Sequence, residues 1–306
     1  VNHDIEADWQ LLNTCNYRCS YCFFPVEMLG ERISEGASPA AWERALADTG
    51  LVWLLHLTGG EPCVHPRFAA LCAALSRRHV LSLNSNLSRP SIADFARAVE
   101  PERVAFINAG LHDLERARRG GLAIFLRNAS LLLDRGFRLF VSVVATPAVL
   151  ADVGRVIDTM APTGLVPFPK MLQGRHAGAT YPDDYTPEER SAFVRFNRLA
   201  REANDARMAG WPERPSIDVG SDDGLLDRIP DFRGQTCEAG RRFVRLHGDG
   251  SVFRCSTETA LGNVLTGTFA PRREAAVCDT RYCFYFCRKY TDQAATCRQL
   301  TGQAAA

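Results

Sequence analysis

From residue 8 to about residue 174 the chain alternates short apolar runs of β character with longer amphipathic stretches. The runs at 9–13, 53–58, 80–84, 104–108, 139–144 and 165–167 predict strands. The stretches between them, 40–48, 68–76, 92–98, 124–135 and 150–160, predict helices. Ile124, Phe125, Ala129, Leu132 and Leu133 fall roughly on one helical face, and Arg135-Gly136 is a plain C-terminal stop. Strand and helix repeating with short connections implies parallel strands joined by crossovers. Six such units predict an α/β fold, a partial (β/α)6 barrel, whose active-site residues belong at the C-terminal ends of the strands.

The pattern changes near residue 180. A Pro- and Asp-rich loop leads into a charged helix ending near Ala209, with Thr186 as N-cap and Glu189 three residues later, a capping box. After a further loop comes a cysteine-rich stretch too poor in apolar sequence to build a large core. We expect two domains, the barrel with its connecting helix over 5–215 and a small metal-stabilised domain over 216–306.

Composition narrows the function classes. The 306 residues are 46% hydrophobic and 23% charged, with a formal net charge of +1. That balance argues against nucleic-acid binding. Arg116, Arg118 and Arg119 read as solvated helix surface. No apolar run approaches the roughly 20 residues of a membrane span, and the first residues lack the pattern of a signal peptide, so the expectation is a cytoplasmic protein without a membrane partner.

The eleven cysteines stand out: three near the N-terminus, six beyond residue 236, none between Cys72 and Cys237. An odd count without an export signal points to metal ligands rather than disulfides. Cys15, Cys19 and Cys22 form a C-x3-C-x2-C loop after the first strand. Three thiolates wrap one face of a cubane and leave one of its four irons open to a small molecule, whereas structural zinc would want a fourth ligand nearby.

This loop, with an aromatic at Tyr21, resembles the signature of the radical S-adenosylmethionine (radical SAM) superfamily. Thr58-Gly59-Gly60-Glu61-Pro62, ending the second strand, resembles that superfamily's second motif. The resemblance implies a 4Fe-4S cluster on Cys15, Cys19 and Cys22, with Tyr21 beside the adenine. Gly59, Gly60 and Glu61 would receive the methionyl amino group. Asn84, Asn86, Ser142 and Arg175 are further candidates for the cofactor's ribose and carboxylate. It also implies a flavodoxin or ferredoxin-type reductant, and abstraction of a substrate hydrogen by a 5′-deoxyadenosyl radical.

Toward the C-terminus, Cys237-x12-Gly250-x4-Cys255, entering a hairpin at Gly248-Asp249-Gly250, resembles the start of the SPASM and twitch auxiliary-cluster extensions. The chain lacks the Cys-x2-Cys pair of a full SPASM extension, so one auxiliary 4Fe-4S cluster is expected and two is the larger alternative. Cys237 and Cys255 are its expected ligands, with two more from Cys278, Cys283, Cys287 and Cys297, and zinc is the competing metal.

One such cluster leaves thiols over. A surplus cysteine among Cys278, Cys283, Cys287 and Cys297, or Cys63 beside the Gly-Gly-Glu motif, is a candidate hydrogen-atom donor. That favours epimerisation of a small sugar or aminocyclitol of the kind found in antibiotic pathways. The alternatives are dehydrogenation of a secondary alcohol with the auxiliary cluster as electron acceptor, modification of a peptide, and a non-catalytic cluster scaffold. The first strand so near residue 1 favours a small-molecule substrate over a peptide. His112 is a candidate base, and Glu27, Arg32, Asn108, Asp113 and Arg175 are candidate substrate contacts. His56, His79 and Cys72 read as core residues.

Overall fold

The computed structural model describes residues 2–22, 24, 26–30, 36–211, 226, 231–255, 258–281 and 283. Six parallel strands run in sequence order across one sheet: β1 Ile5–Leu12, β2 Trp53–Gly59, β3 Val80–Ser85, β4 Val104–Gly110, β5 Leu139–Val144 and β6 Phe168–Lys170. Helices α1 Pro39–Asp48, α2 Phe68–Ser76, α3 Ser91–Ala98, α4 Asp113–Arg119, α5 Leu122–Asp134, α6 Pro147–Ala151 and α7 Val153–Thr159 lie in the crossovers. This is the mostly parallel α/β architecture that the alternating pattern predicts.

Alternation along each strand sorts the side chains into two faces. Ile5, Ala7, Trp9, Leu55, Leu57, Leu81, Leu83, Ile107 and Val141 join the main core. There Trp9 meets Trp42 of α1 at a ring-centroid distance of 4.6 Å. The opposite, concave face is apolar only near the N-terminal ends of the strands, where Leu54, Val80, Ala105, Phe106 and Phe140 pack as a separate plug with Phe168 and Trp211. Above that plug the inward rows turn polar.

The region beyond residue 230 extends the same sheet. Strand β10, Phe243–His247, pairs parallel to the free edge of β1, with Asp8 opposite Arg245 and Gln10 opposite His247. The expected hairpin then adds β11, Ser251–Phe253, and β12, Ala260–Asn263, both antiparallel, for nine strands in all. Two small pairs stand apart, β7 Gly174–His176 with β8 Ala179–Tyr181, and β9 Thr236–Cys237 with β13 Ala276–Val277. Helix α8, Pro187–Met208, begins with the expected capping box: Glu189 N–H donates to Thr186 Oγ1, and Thr186 N–H donates to Glu189 Oε2.

Four expectations need correction. β1 begins at Ile5, not residue 9, because Glu6 and Asp8 point into the concave face and disguise the strand as polar sequence. The sixth strand is Phe168–Lys170, not 165–167: Leu165 and Val166 pack into the main core, and pairing with β5 starts at Phe168. The helix expected over 150–160 breaks at Asp152, whose non-helical backbone lets its side chain accept from Arg155 N–H and cap a new helix. Arg116 is buried, although Arg118 and Arg119 are exposed as expected.

The Arg116 guanidinium donates to the carbonyls of Asn86, Gly110, Leu111 and Gly121 and lies 4.1 Å from the centroid of Phe125. It thereby ties the end of β3, the end of β4 and the start of α5 to one another. Replacing Arg116 with Met keeps the apolar stem but strips four buried carbonyls of a donor. The expected cost is roughly 3 kcal/mol, read as a lower urea midpoint in equilibrium unfolding.

Candidate active site

The C-terminal ends of β1 to β6 surround a cavity of about 1130 Å³. Its rim is the cysteine loop. Cys15, Cys19 and Cys22 all line the cavity, are half-buried and form no disulfide. The loop is tightly held: Cys22 N–H donates to Cys19 O at 3.0 Å, Cys15 N–H to Leu29 O at 3.3 Å, and Tyr17 N–H to the Cys15 sulfur at 3.3 Å. Burial pushes Cys15 up to about 11 and Cys19 up to about 12, so as bare thiols they stay protonated and a bound metal must displace the protons.

Gly59 and Gly60 bring β2 against this loop. Gly60 N–H donates to Leu12 O at 2.7 Å, and Glu61 N–H to Thr14 O at 2.9 Å. A Cβ on Gly60 would lie 2.2 Å from Thr14 O, and one on Gly59 2.2 Å from Leu12 O. The glycines thus serve first to seat the cysteine loop.

Glu61 is buried and already engaged. Its carboxylate accepts from Cys63 N–H at 3.1 Å, Ser85 Oγ at 2.7 Å and Asn86 N–H at 2.6 Å. The Cys63 side chain also bonds to it, so the roughly four acceptor positions of a carboxylate are largely taken up by the protein. Asn86 in turn donates from Nδ2 to Asn16 Oδ1 at 3.1 Å, which anchors the cysteine loop from the β3 side. Further along the wall, Ser142 Oγ donates to Asn108 Oδ1 at 2.7 Å, and Asn108 Nδ2 to Asn84 Oδ1 at 2.9 Å. Of the expected cofactor residues, Tyr21, Gly59, Gly60, Glu61, Asn84 and Asn86 line the cavity, and Ser142 is tied to them through Asn108. Arg175 stands exposed on the β7–β8 hairpin, apart from the cavity wall.

His112 sits in the left-handed region just before α4. Its Nδ1 is 3.2 Å from the Tyr21 hydroxyl and 3.5 Å from the Cys19 sulfur. Burial, helped by the charges of Arg116 and Lys170, pushes its basicity down to about 3, so the imidazole is neutral and a weak base. Among the other expected substrate contacts, Asn108 faces the cavity, Asp113 pairs with Arg155 at 2.8 Å, Glu27 is exposed away from the cavity wall, and Arg32 lies outside the described residues.

The expected thiol donors lie elsewhere. Cys63 is in the main core behind Glu61, with Ser85 Oγ donating toward its sulfur at 3.7 Å. Cys237, Cys255, Cys278 and Cys283 come together instead in a buried group with Phe232, Ala239 and Phe243. Cys287 and Cys297 lie outside the described residues. Cys72 and His79 are core residues, as expected. His56 is buried but lines the cavity, with Nδ1 2.5 Å from Ser82 Oγ and Nε2 3.3 Å from Glu6 Oε2.

The concave wall also presents groups that the sequence did not single out: Asp8, Gln10, Lys170, Arg245 and His247. Their signal was alternation within β1 and β10, legible only once both strands are known to border one cavity. Desolvation raises the Asp8 carboxyl to about 7, while Arg245 pulls it back. Arg245 itself contacts His247, at 2.9 Å.

The profile of the radical SAM superfamily matches residues 9–158, the stretch from β1 to α7 that carries the cysteine loop and the Gly-Gly-Glu turn. These residues form a radical SAM domain. Among solved structures, this radical SAM chain is similar to anSMEcpe with bound AdoMet, with a TM-score of 0.56 and 15% identity over 86% of this chain and 79% of that one. It is also similar to Streptococcus suis SuiB bound to S-adenosylmethionine, with a TM-score of 0.53 and 13% identity over 86% of this chain and 63% of SuiB. These likenesses are of fold. No curated protein sequence matches the chain.

The residues present fit the superfamily's cofactors. Three unpaired cavity-facing thiols share one short loop, and the polar wall beneath them can hold an adenosyl and methionyl group. Among the described residues no three metal-binding side chains converge as closely as a single ion requires, and a cubane spreads its thiolates wider than one ion does.

Gly60→Ala should push the cysteine loop off β2. The expected result is a severalfold loss of iron on anaerobic reconstitution with unchanged far-UV circular dichroism; full iron loading would show that the loop tolerates the added methyl.

Proposed function

We propose that this radical SAM protein is a dehydrogenase of a small polar substrate, oxidising a carbon that bears a hydroxyl or amino group. The observation that carries this reading is the gathering of Cys237, Cys255, Cys278 and Cys283 into one buried group. Four thiols suit an auxiliary 4Fe-4S cluster, which would take the second electron of the oxidation. Cys15, Cys19 and Cys22 would hold the cluster that, reduced by a flavodoxin or ferredoxin-type protein and with S-adenosylmethionine bound, would supply the hydrogen-abstracting radical.

The chain's own side chains have defined work in this reading. Glu61 fixes the β2 turn to β3, and His112 orients the Tyr21 ring beside the cysteine loop, stacking at 6.2 Å. Asn84, Asn108 and Lys170 offer hydrogen bonds to cofactor or substrate, Ser142 holds Asn108 in place, and the Phe106 plug closes the floor. The cavity exceeds the roughly 300–1,000 Å³ that holds one ligand, which suits a cluster, a nucleoside cofactor and a small substrate together.

Epimerisation by a thiol is the second reading. It needs a donor in the cavity, and among the described cysteines only the three of the cluster loop line it. Cys287 and Cys297 are its remaining candidates. Modification of a peptide is a third reading, favoured by SuiB, which has been solved with its precursor peptide SuiA at a TM-score of 0.51.

The test is incubation of the reconstituted, reduced enzyme with S-adenosylmethionine and a metabolite extract in deuterium oxide, followed by mass spectrometry. Dehydrogenation predicts a compound about two mass units lighter; epimerisation predicts one that gains about one unit of deuterium. A modified peptide would sink both. Separately, Cys237→Ala with Cys255→Ala should remove about half of the reconstituted iron, as expected for one of two four-iron sites. Unchanged iron would refute the auxiliary cluster.

A further inference from the structure

The inward row of β1 is Glu6, Asp8 and Gln10, and only one of the three lacks a hydrogen-bonding partner. Glu6 is held between His3, at 3.1 Å, and His56, at 3.3 Å. Gln10 Nε2 donates to Asn13 Oδ1. Asp8, between them, lines the cavity, and its carboxylate accepts no hydrogen bond from any described residue. Below it lies the apolar plug of Leu54, Val80, Phe106 and Phe140. Half-buried in the wall, this carboxylate keeps access to the cavity and can accept from a donor on a ligand that enters it.

Position and neighbours define its use. In register, Arg245 of β10 flanks Asp8 on one side and His56 of β2 on the other. The other charged or titratable groups of the wall are committed or sit higher. Glu61 is bonded three times, His112 is a weak base against Tyr21 and Cys19, and Lys170 and Arg245 are cations. His247, made less basic by burial, contacts Arg245. Asp249 and Glu258 are exposed, and Asp249 accepts from Ser251 N–H. Asp249 and Glu258 also line the cavity but stand exposed to solvent, so Asp8 is the open anionic acceptor on the inward rows of the sheet itself.

We propose that Asp8 is the proton acceptor of the oxidation, so that the substrate is a compound whose reacting carbon carries a hydroxyl or protonated amine directed at this carboxylate. The proposal rests on the dehydrogenase reading above. The carbon–hydrogen bond breaks homolytically and its hydrogen atom goes to the 5′-deoxyadenosyl carbon. The hydroxyl proton passes to an Asp8 oxygen, and the remaining unpaired electron leaves to an oxidised iron–sulfur cluster on the C-terminal cysteines. The carbon–oxygen single bond becomes a carbonyl. Arg245 beside Asp8 keeps it ionised for the purpose, and burial makes it basic enough to hold the proton.

The test compares the wild type with Asp8→Asn and Asp8→Glu, each reconstituted and reduced, on a metabolite extract with S-adenosylmethionine. Iron content and binding of S-adenosylmethionine are measured first to establish that each variant is folded. The readout is oxidised product formed per 5′-deoxyadenosine released. Asp8→Asn, nearly isosteric but unable to take a proton, should lower that ratio at least tenfold, and Asp8→Glu should restore part of it. In the wild type, product formation should rise with pH through about 7, as the carboxyl of Asp8 ionises, and that rise should be absent in Asp8→Asn. An unchanged ratio in Asp8→Asn, with oxidised product in both proteins, overturns the role of Asp8 alone. A wild-type product that is not oxidised overturns the dehydrogenase reading, and the proton-acceptor role falls with it.

Discussion

Two backbone hydrogen bonds, from Gly60 N–H to Leu12 O and from Glu61 N–H to Thr14 O, hold the cysteine loop against the end of β2. They form because neither residue 59 nor residue 60 carries a Cβ, which would stand 2.2 Å from a carbonyl oxygen of the facing chain. Much of the site hangs from this closure. It aims the Glu61 carboxylate at Ser85 and Asn86, Asn86 reaches back to Asn16 in the cysteine loop, and Arg116 holds the Asn86 and Gly110 carbonyls from behind. His112, one turn before Arg116, is thereby placed against Tyr21 and Cys19. The loop that carries the cluster thiols is therefore fixed by protein contacts from β1, β2, β3 and α4, before any metal contributes.

The concave face of the sheet is graded along the strands. At the N-terminal ends it is filled by phenylalanines and closed, and at the C-terminal ends it is lined by Asn, Ser, His, Asp, Arg and Lys side chains. An apolar floor keeps water from entering beneath the reactants, and a polar wall can orient a small hydrophilic ligand. The grading also concentrates titratable groups in poor solvent, and this is why burial raises Asp8 and lowers His112. Function at this site follows from where the plug stops.

The C-terminal region works through its attachment. By pairing β10 parallel to β1, it contributes Arg245 and His247 to the cavity wall while carrying Cys237 and Cys255 on either side of that strand. One strand thus borders both the cavity and the four-cysteine group.

The sequence by itself determined what is local. The C-x3-C-x2-C loop, the Gly-Gly-Glu turn, the capping box at Thr186 and the hairpin at Gly250 are each set by residues close together in the chain. Strand–helix alternation fixed the fold class for the same reason. Tertiary structure decided what depends on contacts between distant segments. Arg116 reads as surface because the four carbonyls that bury it lie up to thirty residues away, and Glu6 and Asp8 read as polar loop because the face they occupy is a cavity rather than core. Cys63 sits beside the Gly-Gly-Glu motif in sequence, yet the turn after Glu61 directs its thiol into the core. Spacing along the chain reports which residues are neighbours on one strand or loop; which face of the sheet they serve is settled only when the strands pair.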